Sequence, residues 1–359
     1  MKNVLVTGGA GFIGSNFIHY LFEVEPTLHI INFDLLTYAG SLSNLIDIEA
    51  NDRYTFIHGD ICDSVLVEKI FTDYSIDTVV HFAAESHVDR SIYHPEQFIQ
   101  TNIMGTFVLL EAARKSWLSS GRPSDYDFRF HHVSTDEVFG TLGPLDHPFS
   151  EITQYSPNSP YSASKASSDH LVRAYGETYK LPFSISNCTN NYGPYQFPEK
   201  LIPLMILNAI EQKPLPVYGD GQQIRDWLFV KDHCEAIYSI LRNGEIGETY
   251  CIGGNNQPAN IEIIQNICLI LDELVPISVP YQSFIKYVPD RPGHDRRYAM
   301  DISKIHSKLN WEPRNDLKSG LDFTVRWYLE HQGWVETISK KKDYNSWINK
   351  NYSNRGGKK

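Results

Sequence analysis

The chain has 359 residues, 42% hydrophobic and 21% charged, a balance that excludes extensive disorder and leaves room for one large α/β domain with a smaller one beside it. Forty-three acidic against 32 basic residues leave a net charge of −11 that repels nucleic acid, and the basic clusters are confined to Lys340-Lys341-Lys342 and Lys358-Lys359. No apolar run approaches the ~18 residues of a membrane span, and Met1-Lys2-Asn3 passes straight into Val4-Leu5-Val6 without a signal-peptide pattern, so the expected location is the cytoplasm, with no membrane or nucleic-acid partner.

In chain order, short apolar runs predict strands at 3–7, 29–33, 54–58, 78–82, 128–134 and 183–187, with helices in the gaps. The clearest helices are 97–117, just behind Pro95, and 161–179. From Asn190 the texture changes to Gly, Pro and Asn punctuation, as in Asn190-Asn191-Tyr192-Gly193-Pro194-Tyr195 and Tyr218-Gly219-Asp220-Gly221, while 230–242 and 249–252 again read as a helix and a strand. The expectation is a Rossmann-type doubly wound parallel sheet with a smaller mixed α/β C-terminal substrate domain. Its cofactor domain takes 1–189 with a returning segment near 224–252, its substrate domain 190–223 and 253–345, and 346–359 is a tail. The five cysteines (Cys62, Cys188, Cys234, Cys251, Cys268) are scattered without C-x-x-C spacing and read as buried thiols; the fourteen histidines show no H-x-x-x-H spacing, so no metal is expected.

The first strand runs into Gly8-Gly9-Ala10-Gly11-Phe12-Ile13-Gly14, where glycines at every third position permit a tight strand-to-helix turn and bring backbone amides to a pyrophosphate. Twenty residues after Gly14, Asp34 follows the second strand, where a carboxylate accepts from both ribose hydroxyls and repels a 2′-phosphate. No Arg or Lys follows in Leu35-Leu36-Thr37, which selects NAD over NADP. Asp60-Ile61 and Phe82-Ala83-Ala84-Glu85-Ser86 fall at the carboxyl ends of the third and fourth strands, the ligand-binding edge of such sheets.

Tyr161-Ser162-Ala163-Ser164-Lys165 places a phenol and an ammonium four residues apart on one helix face. The ammonium, with a cationic nicotinamide, is expected to favour the phenolate and make Tyr161 a base.

The Gly turn, Asp34 and the Tyr161/Lys165 pair resemble the extended short-chain dehydrogenases that act on nucleotide sugars. Three further segments, Ala83-Ala84-Glu85-Ser86-His87-Val88-Asp89-Arg90-Ser91, Ser134-Thr135-Asp136-Glu137-Val138-Phe139-Gly140 and Asn190-Asn191-Tyr192-Gly193-Pro194-Tyr195-Gln196-Phe197-Pro198-Glu199-Lys200, resemble the dTDP-glucose 4,6-dehydratase family. The match runs from Lys2 to about Trp311, with Phe139 where many relatives carry Tyr. The resemblance implies oxidation at C4 of the sugar, elimination of water across C5 and C6, and return of the hydride to C6, with NAD staying bound through turnover. It assigns Glu137 as the base at C5, Asp136 as the acid at the C6 hydroxyl, and Thr135 as the hydrogen-bond partner of the C4 oxygen. Two adjacent carboxyls resist ionising together, which suits one acid and one base. The alternatives are another NAD-dependent nucleotide-sugar enzyme, an epimerase or a decarboxylase, and an NAD-binding regulator without catalysis; sugar epimerases of this superfamily have small non-acidic residues at these positions, so Asp136-Glu137 tells against an epimerase, and a regulator has no need of both carboxyls with Tyr161 and Lys165.

The resemblance adds Thr101 and Asn191 to the cofactor contacts. It assigns the nucleotide sugar to Ser86, Thr135, Asn190, Glu199, Lys200, Leu201, Pro216, Val217, Tyr218, Arg225, Asn260, His294, Arg296, Arg297 and Tyr298. Arginine forks suit phosphate oxygens and Tyr218 offers a ring for a base, while Arg225, next to Asp226, has the alternative of a structural ion pair. The helices at 97–117 and 161–179 resemble those that pair across a two-fold axis, which implies a homodimer.

Overall fold

The computed structural model describes residues 1–118, 128–290 and 295–340; His294, Lys341, Lys342, Trp347, Lys358, Lys359 and the 346–359 tail lie outside them. The first half alternates strands and helices: β1 (Asn3–Thr7), α1 (Phe12–Val24), β2 (His29–Asp34), β3 (Tyr54–His58), α2 (Ser64–Asp73), β4 (Thr78–His81), α3 (Val88–Tyr93), α4 (Pro95–Phe98), α5 (Thr106–Leu118), β5 (Arg129–Thr135), α6 (Pro160–Tyr179) and β6 (Phe183–Cys188). After them come β7 (Asn190–Tyr192), α7 (Leu201–Ile210), β8 (Leu215–Tyr218), β9 (Trp227–Phe229), α8 (Val230–Asn243), β10 (Thr249–Ile252), α9 (Asn260–Leu274) and β11 (Ile285–Val288). Val4, Leu5 and Val6 are all wholly buried because helices cover both faces of the sheet, which explains why the strands read as continuous apolar runs and not as alternation.

Seven strands form one parallel sheet in the order β10-β6-β5-β4-β1-β2-β3, a doubly wound topology whose direction of winding reverses between β1 and β4. Leu5 sits between Ile31 and Val79 in this register, and the carboxyl ends of β1 and β4 flank the crevice where such sheets bind ligands. Strand ends differ from expectation by about a residue. β4 stops at His81, although the Phe82 amide still donates to Thr7 O at 3.0 Å. The late return to the sheet is made by β10, which adds beside β6 with Thr249 opposite Ile185.

The helix expected at 97–117 begins at Pro95 and contains a wide π-type turn over Ile99–Gly105. Within that turn the Asn102 amide bonds both the N–H and the C=O of Glu85 and donates to Ser164 Oγ at 2.8 Å, so the widened turn serves the crossover behind β4. α6 starts from a reciprocal capping box, Ser159 with Ser162, with Pro160 at its first position, and ends where Lys180 turns left-handed at φ 60. That start fixes Tyr161 in the first turn.

A second core, built by α7, α9 and the helices Leu317–Glu330 and Gln332–Ser339, gathers Ile202, Met205, Ile264, Leu321, Tyr328 and Trp334. Two short parallel pairs, β7 with β9 and β8 with β11, join this part to the crevice; their three- and four-residue strands carry too little periodicity to be seen in sequence. The buried Trp334 indole donates to Asn44 Oδ1 at 2.7 Å, and Asn44 donates to Ala10 O at 3.0 Å. All five cysteines are free, Cys62 half-buried and the rest buried. Among the described residues no helix is long and apolar enough to cross a membrane, and no group of three His, Cys, Asp or Glu side chains is placed to hold a metal ion.

Candidate active site

The glycine turn leaves no room for side chains. Gly8 has φ +70, and a Cβ there would lie 2.7 Å from the Ala83 backbone; a Cβ on Gly14 would lie 2.3 Å from Gly8 O. α1 is capped by Gly11 with no side-chain cap, so its positive end faces the crevice uncovered. Asp34 is buried, and its carboxylate accepts from the amides of Ala10 at 2.9 Å and Leu36 at 2.7 Å, which locks the loop after β2 against the glycine turn.

One cavity of about 350 Å³ runs from this turn to the carboxyl ends of β5 and β6. All the residues expected to hold the cofactor line it except Leu36, whose backbone is left-handed at φ 54 and whose contribution is the amide that binds Asp34. Asp136 Oδ2, Thr189 Oγ1 and Asn190 Oδ1, on residues of the same cavity, are buried without a hydrogen-bond partner. The glycine cradle, the open helix end and these acceptors fit a dinucleotide with a polyol beside it.

Thr135 ends β5, and its hydroxyl receives the Glu137 amide at 3.3 Å and donates to Asp136 Oδ1 at 3.3 Å, so the two carboxyls leave the strand in a tight turn. Both line the cavity together with Thr135, Tyr161 and Lys165. Burial, and after it the charge of Glu137, pushes the Asp136 carboxyl well above the usual carboxylate range, against the opposing pull of Arg225. Asp136 is therefore built to keep a proton. Phe139 stacks on Phe149 with ring centroids 5.2 Å apart and packs edge-on to Tyr155, a purely apolar placement.

The expectation for Tyr161 counts on a cationic nicotinamide as well as on Lys165. Burial, followed by the charge of Glu137, pushes its phenol well above the ordinary value, against a hydrogen bond with Thr135 that lowers it. Lys165 donates instead to Val133 O at 2.8 Å and lies 3.4 Å from His132 Nε2. The protein's own groups thus favour the phenol, so the phenolate depends on the cofactor's charge.

The residues expected to hold the nucleotide sugar divide into two sets. Ser86, Thr135, Asn190, Glu199 and Lys200 line the cavity, with Leu201 opening α7 immediately after. Pro216, Val217 and Tyr218 lie on β8, Asn260 opens α9, Arg296, Arg297 and Tyr298 follow Asp295, and Arg225 precedes β9, while His294 is outside the described residues. Arg225 bridges these to the carboxyls: it is buried, donates to Ile224 O and Asp295 O at 2.8 Å, stacks 4.3 Å from the Tyr298 ring and acts on Asp136. Asp226 turns instead to the amides of Gly254 at 3.1 Å and Asn256 at 3.2 Å, so Arg225–Asp226 is not the ion pair weighed as the alternative. Val217 is in the second core and offers only its backbone. Arg296 pairs with Asp220 and Arg297 donates to Asp146 O at 2.8 Å, engagements that spacing does not reveal. Asn260 and Tyr218 flank the same edge, with the Asn260 amide on Gln223 O at 2.9 Å.

Sequence reasoning missed what surrounds Glu199. This buried carboxyl lies 3.4 Å from Arg90 Nη2 and 3.6 Å from His87 Nε2, and the Arg90 guanidinium covers the Tyr38 ring at 3.6 Å. The only signal was that His87 and Arg90 stood in a quoted segment; their partner is 109 residues from Arg90.

The parallel sheet, the glycine turn and the Tyr161/Lys165 pair at its carboxyl edge define an NAD-binding, extended short-chain dehydrogenase. The family model for GDP-mannose 4,6 dehydratase matches residues 5–324. The chain is 54% identical over 360 residues to the dTDP-glucose 4,6-dehydratase of Shigella flexneri, covering 98% of this chain and 99% of that one. Crystal structures of dTDP-glucose 4,6-dehydratases from Bacillus anthracis and Streptomyces venezuelae, both with NAD, superpose with TM-scores of 0.84 and 0.85, at 44% identity over 94% of this chain and 100% of theirs. The chain belongs to the 4,6-dehydratase family, within it to the dTDP-glucose 4,6-dehydratases.

Proposed function

We infer that the protein catalyses the NAD-dependent conversion of dTDP-glucose to dTDP-4-dehydro-6-deoxyglucose, a hydro-lyase reaction. The observation that carries this reading is the Thr135-Asp136-Glu137 turn, which puts a proton-retaining carboxyl and a second carboxyl in one cavity with Tyr161. The glycine turn, Asp34 and the loop after β3 would hold the cofactor. NAD⁺ supplies the hydride acceptor for C4 and the donor for C6, and its nicotinium charge favours the phenolate form of Tyr161. Tyr161, steadied by Thr135, takes the proton of the C4 hydroxyl. The resulting C4 ketone acidifies the C5 hydrogen, which Glu137 removes, while Asp136 gives its proton to the C6 hydroxyl as it leaves as water. Return of the hydride to C6 and of the proton from Glu137 to C5 completes the product; the proton Tyr161 gained from the C4 hydroxyl offsets the one Asp136 gave up, and net redox is zero. Arg225 adds a positive charge near the carboxyls that suits a diphosphate.

On this reading residues 1–189 with 224–252 serve the cofactor and 190–223 with 253–345 the nucleotide sugar, and the chain works in the cytoplasm. The decisive experiment incubates the purified protein with dTDP-glucose and no added NAD. Mass spectrometry should find the nucleotide sugar lighter by one water; an unchanged mass, with or without epimerisation, overturns the reading.

The reading extends to a homodimer. α3 to α5 and the end of α6 expose Ile92, Tyr93, Ile99, Met104, Phe107 and Tyr179, an apolar set of the kind that marks an interface. Light scattering should give a mass of two chains for the protein and one chain for Phe107→Glu; a single-chain mass for the unaltered protein refutes the dimer.

A further inference from the structure

Beneath the Tyr161/Lys165 pair lies a buried polar cluster that the chemistry above does not use. Asp169, one helical turn beyond Lys165 on α6, is wholly buried and receives the Ser134 hydroxyl at 2.8 Å, the Tyr155 hydroxyl at 2.8 Å and the Asn187 amide at 3.3 Å. Its other oxygen lies 3.2 Å from His132 Nε2, and that same nitrogen lies 3.4 Å from Lys165 Nζ. One imidazole nitrogen thus stands between a carboxylate and an ammonium. With its proton on Nε2 it turns a positive edge to Asp169; with the proton on Nδ1 it accepts from Lys165.

We propose that Asp169 is a positioning residue for the reaction: acting across His132, it is the buried counter-charge that keeps the Lys165 ammonium charged and pinned to Val133 O beside Tyr161. Lys165 faces Asp169 and Tyr161 from its own helix, His132 from β5, His81 from β4 beyond His132, and Cys188 from β6. Of these Asp169 is the one carboxylate, and its charge does not depend on the cofactor. Burial and the charge of Lys165 hold His132 down at about 4, so it is neutral; burial pushes the Cys188 thiol up to about 12. Although burial acts to raise it, Asp169 is held below the usual carboxylate range by His132, Lys165 and Ser134. Burial brings Lys165 down to about 8 even with Asp169 pulling upward, so losing that carboxylate lowers it further and discharges it near neutral pH.

The inference rests on the reading of Lys165 as the cation that serves Tyr161, and the test separates the two. Reduction of bound NAD on mixing with dTDP-glucose is followed against pH in the unaltered holoenzyme, Asp169→Asn, Tyr155→Phe and Lys165→Met. Asp169→Asn should keep its rate at the acidic end within roughly threefold while its alkaline limb moves down by about one pH unit or more. Tyr155→Phe, which removes a hydrogen bond to Asp169 but not its charge, should leave the limb in place. A uniform loss in Asp169→Asn at every pH, or an unmoved limb, overturns the proposal. An unaffected Lys165→Met would instead overturn the role of Lys165. Should Asp169→Asn fail to fold, lysine labelled with carbon-13 at Cε reports on the unaltered protein: the proposal requires Lys165 still charged at pH 7, and a neutral Lys165 there sinks it.

Discussion

Glu137→Gln should reduce its bound NAD when given dTDP-glucose yet release almost no dehydrated product. The substitution keeps the side chain's length and its ability to bond, so the sugar still meets Tyr161, and the hydride step, which uses Tyr161 and Thr135, is spared. What is lost is the only group assigned to take the C5 proton, and removing a positioned general base costs on the order of 10²–10⁴-fold. Reduced cofactor should therefore accumulate, visible by its absorbance in rapid mixing, while mass spectrometry finds the sugar's water still in place. A variant that eliminates at the normal rate would assign the base elsewhere. Asp136 is the obvious candidate, but its carboxyl is held in the protonated form by burial and by Glu137 itself, which fits an acid and not a base.

The second large effect is expected at Gly14. A Cβ there would sit 2.3 Å from Gly8 O and 2.8 Å from Gly9 Cα, both backbone atoms that no rotamer change can move aside. Gly14→Val must push the first turn of α1 away from β1, and overpacking of this kind costs about 1–3 kcal/mol or more. It also tilts the helix end that faces the pyrophosphate. The purified variant should retain NAD at about one-tenth or less of the normal level, equivalent to ~1.4 kcal/mol of affinity, and melt at a lower temperature. Full retention of cofactor after dialysis would show that the helix end is not its anchor.

These two sites were legible for different reasons. The glycine turn, Asp34 and the strands β1 to β6 depend on neighbours within some twenty residues, and apolar runs with Gly punctuation carry that information directly. Asp136 and Glu137 were found through resemblance; nothing in composition says that Asp136 is buried, and it is burial that makes it an acid. The surroundings of Tyr161 lie beyond what spacing shows. Four residues of helix put phenol and ammonium on one face, but the third dimension gives Lys165 to Val133 O and His132 and leaves the phenol in a dry site. The surroundings of Val217, Arg296 and Arg297 escape the sequence for the same reason, since their partners, the second core, Asp220 and the Asp146 carbonyl, are not sequence neighbours. The π turn at Ile99–Gly105 answers to Glu85 and Ser164, contacts that no helical periodicity encodes.

The bond from the Trp334 indole to Asn44 spans 290 residues, and Asn44 in turn holds the carbonyl of Ala10, inside the glycine turn. Ala10 is also the residue whose amide holds Asp34. Translation makes the glycine turn and Asp34 well before Trp334, so the motif exists in the growing chain ahead of its brace. A nascent chain stalled before Trp334 carries the motif without this bond, and the glycine turn meets its distant support only after that residue is made.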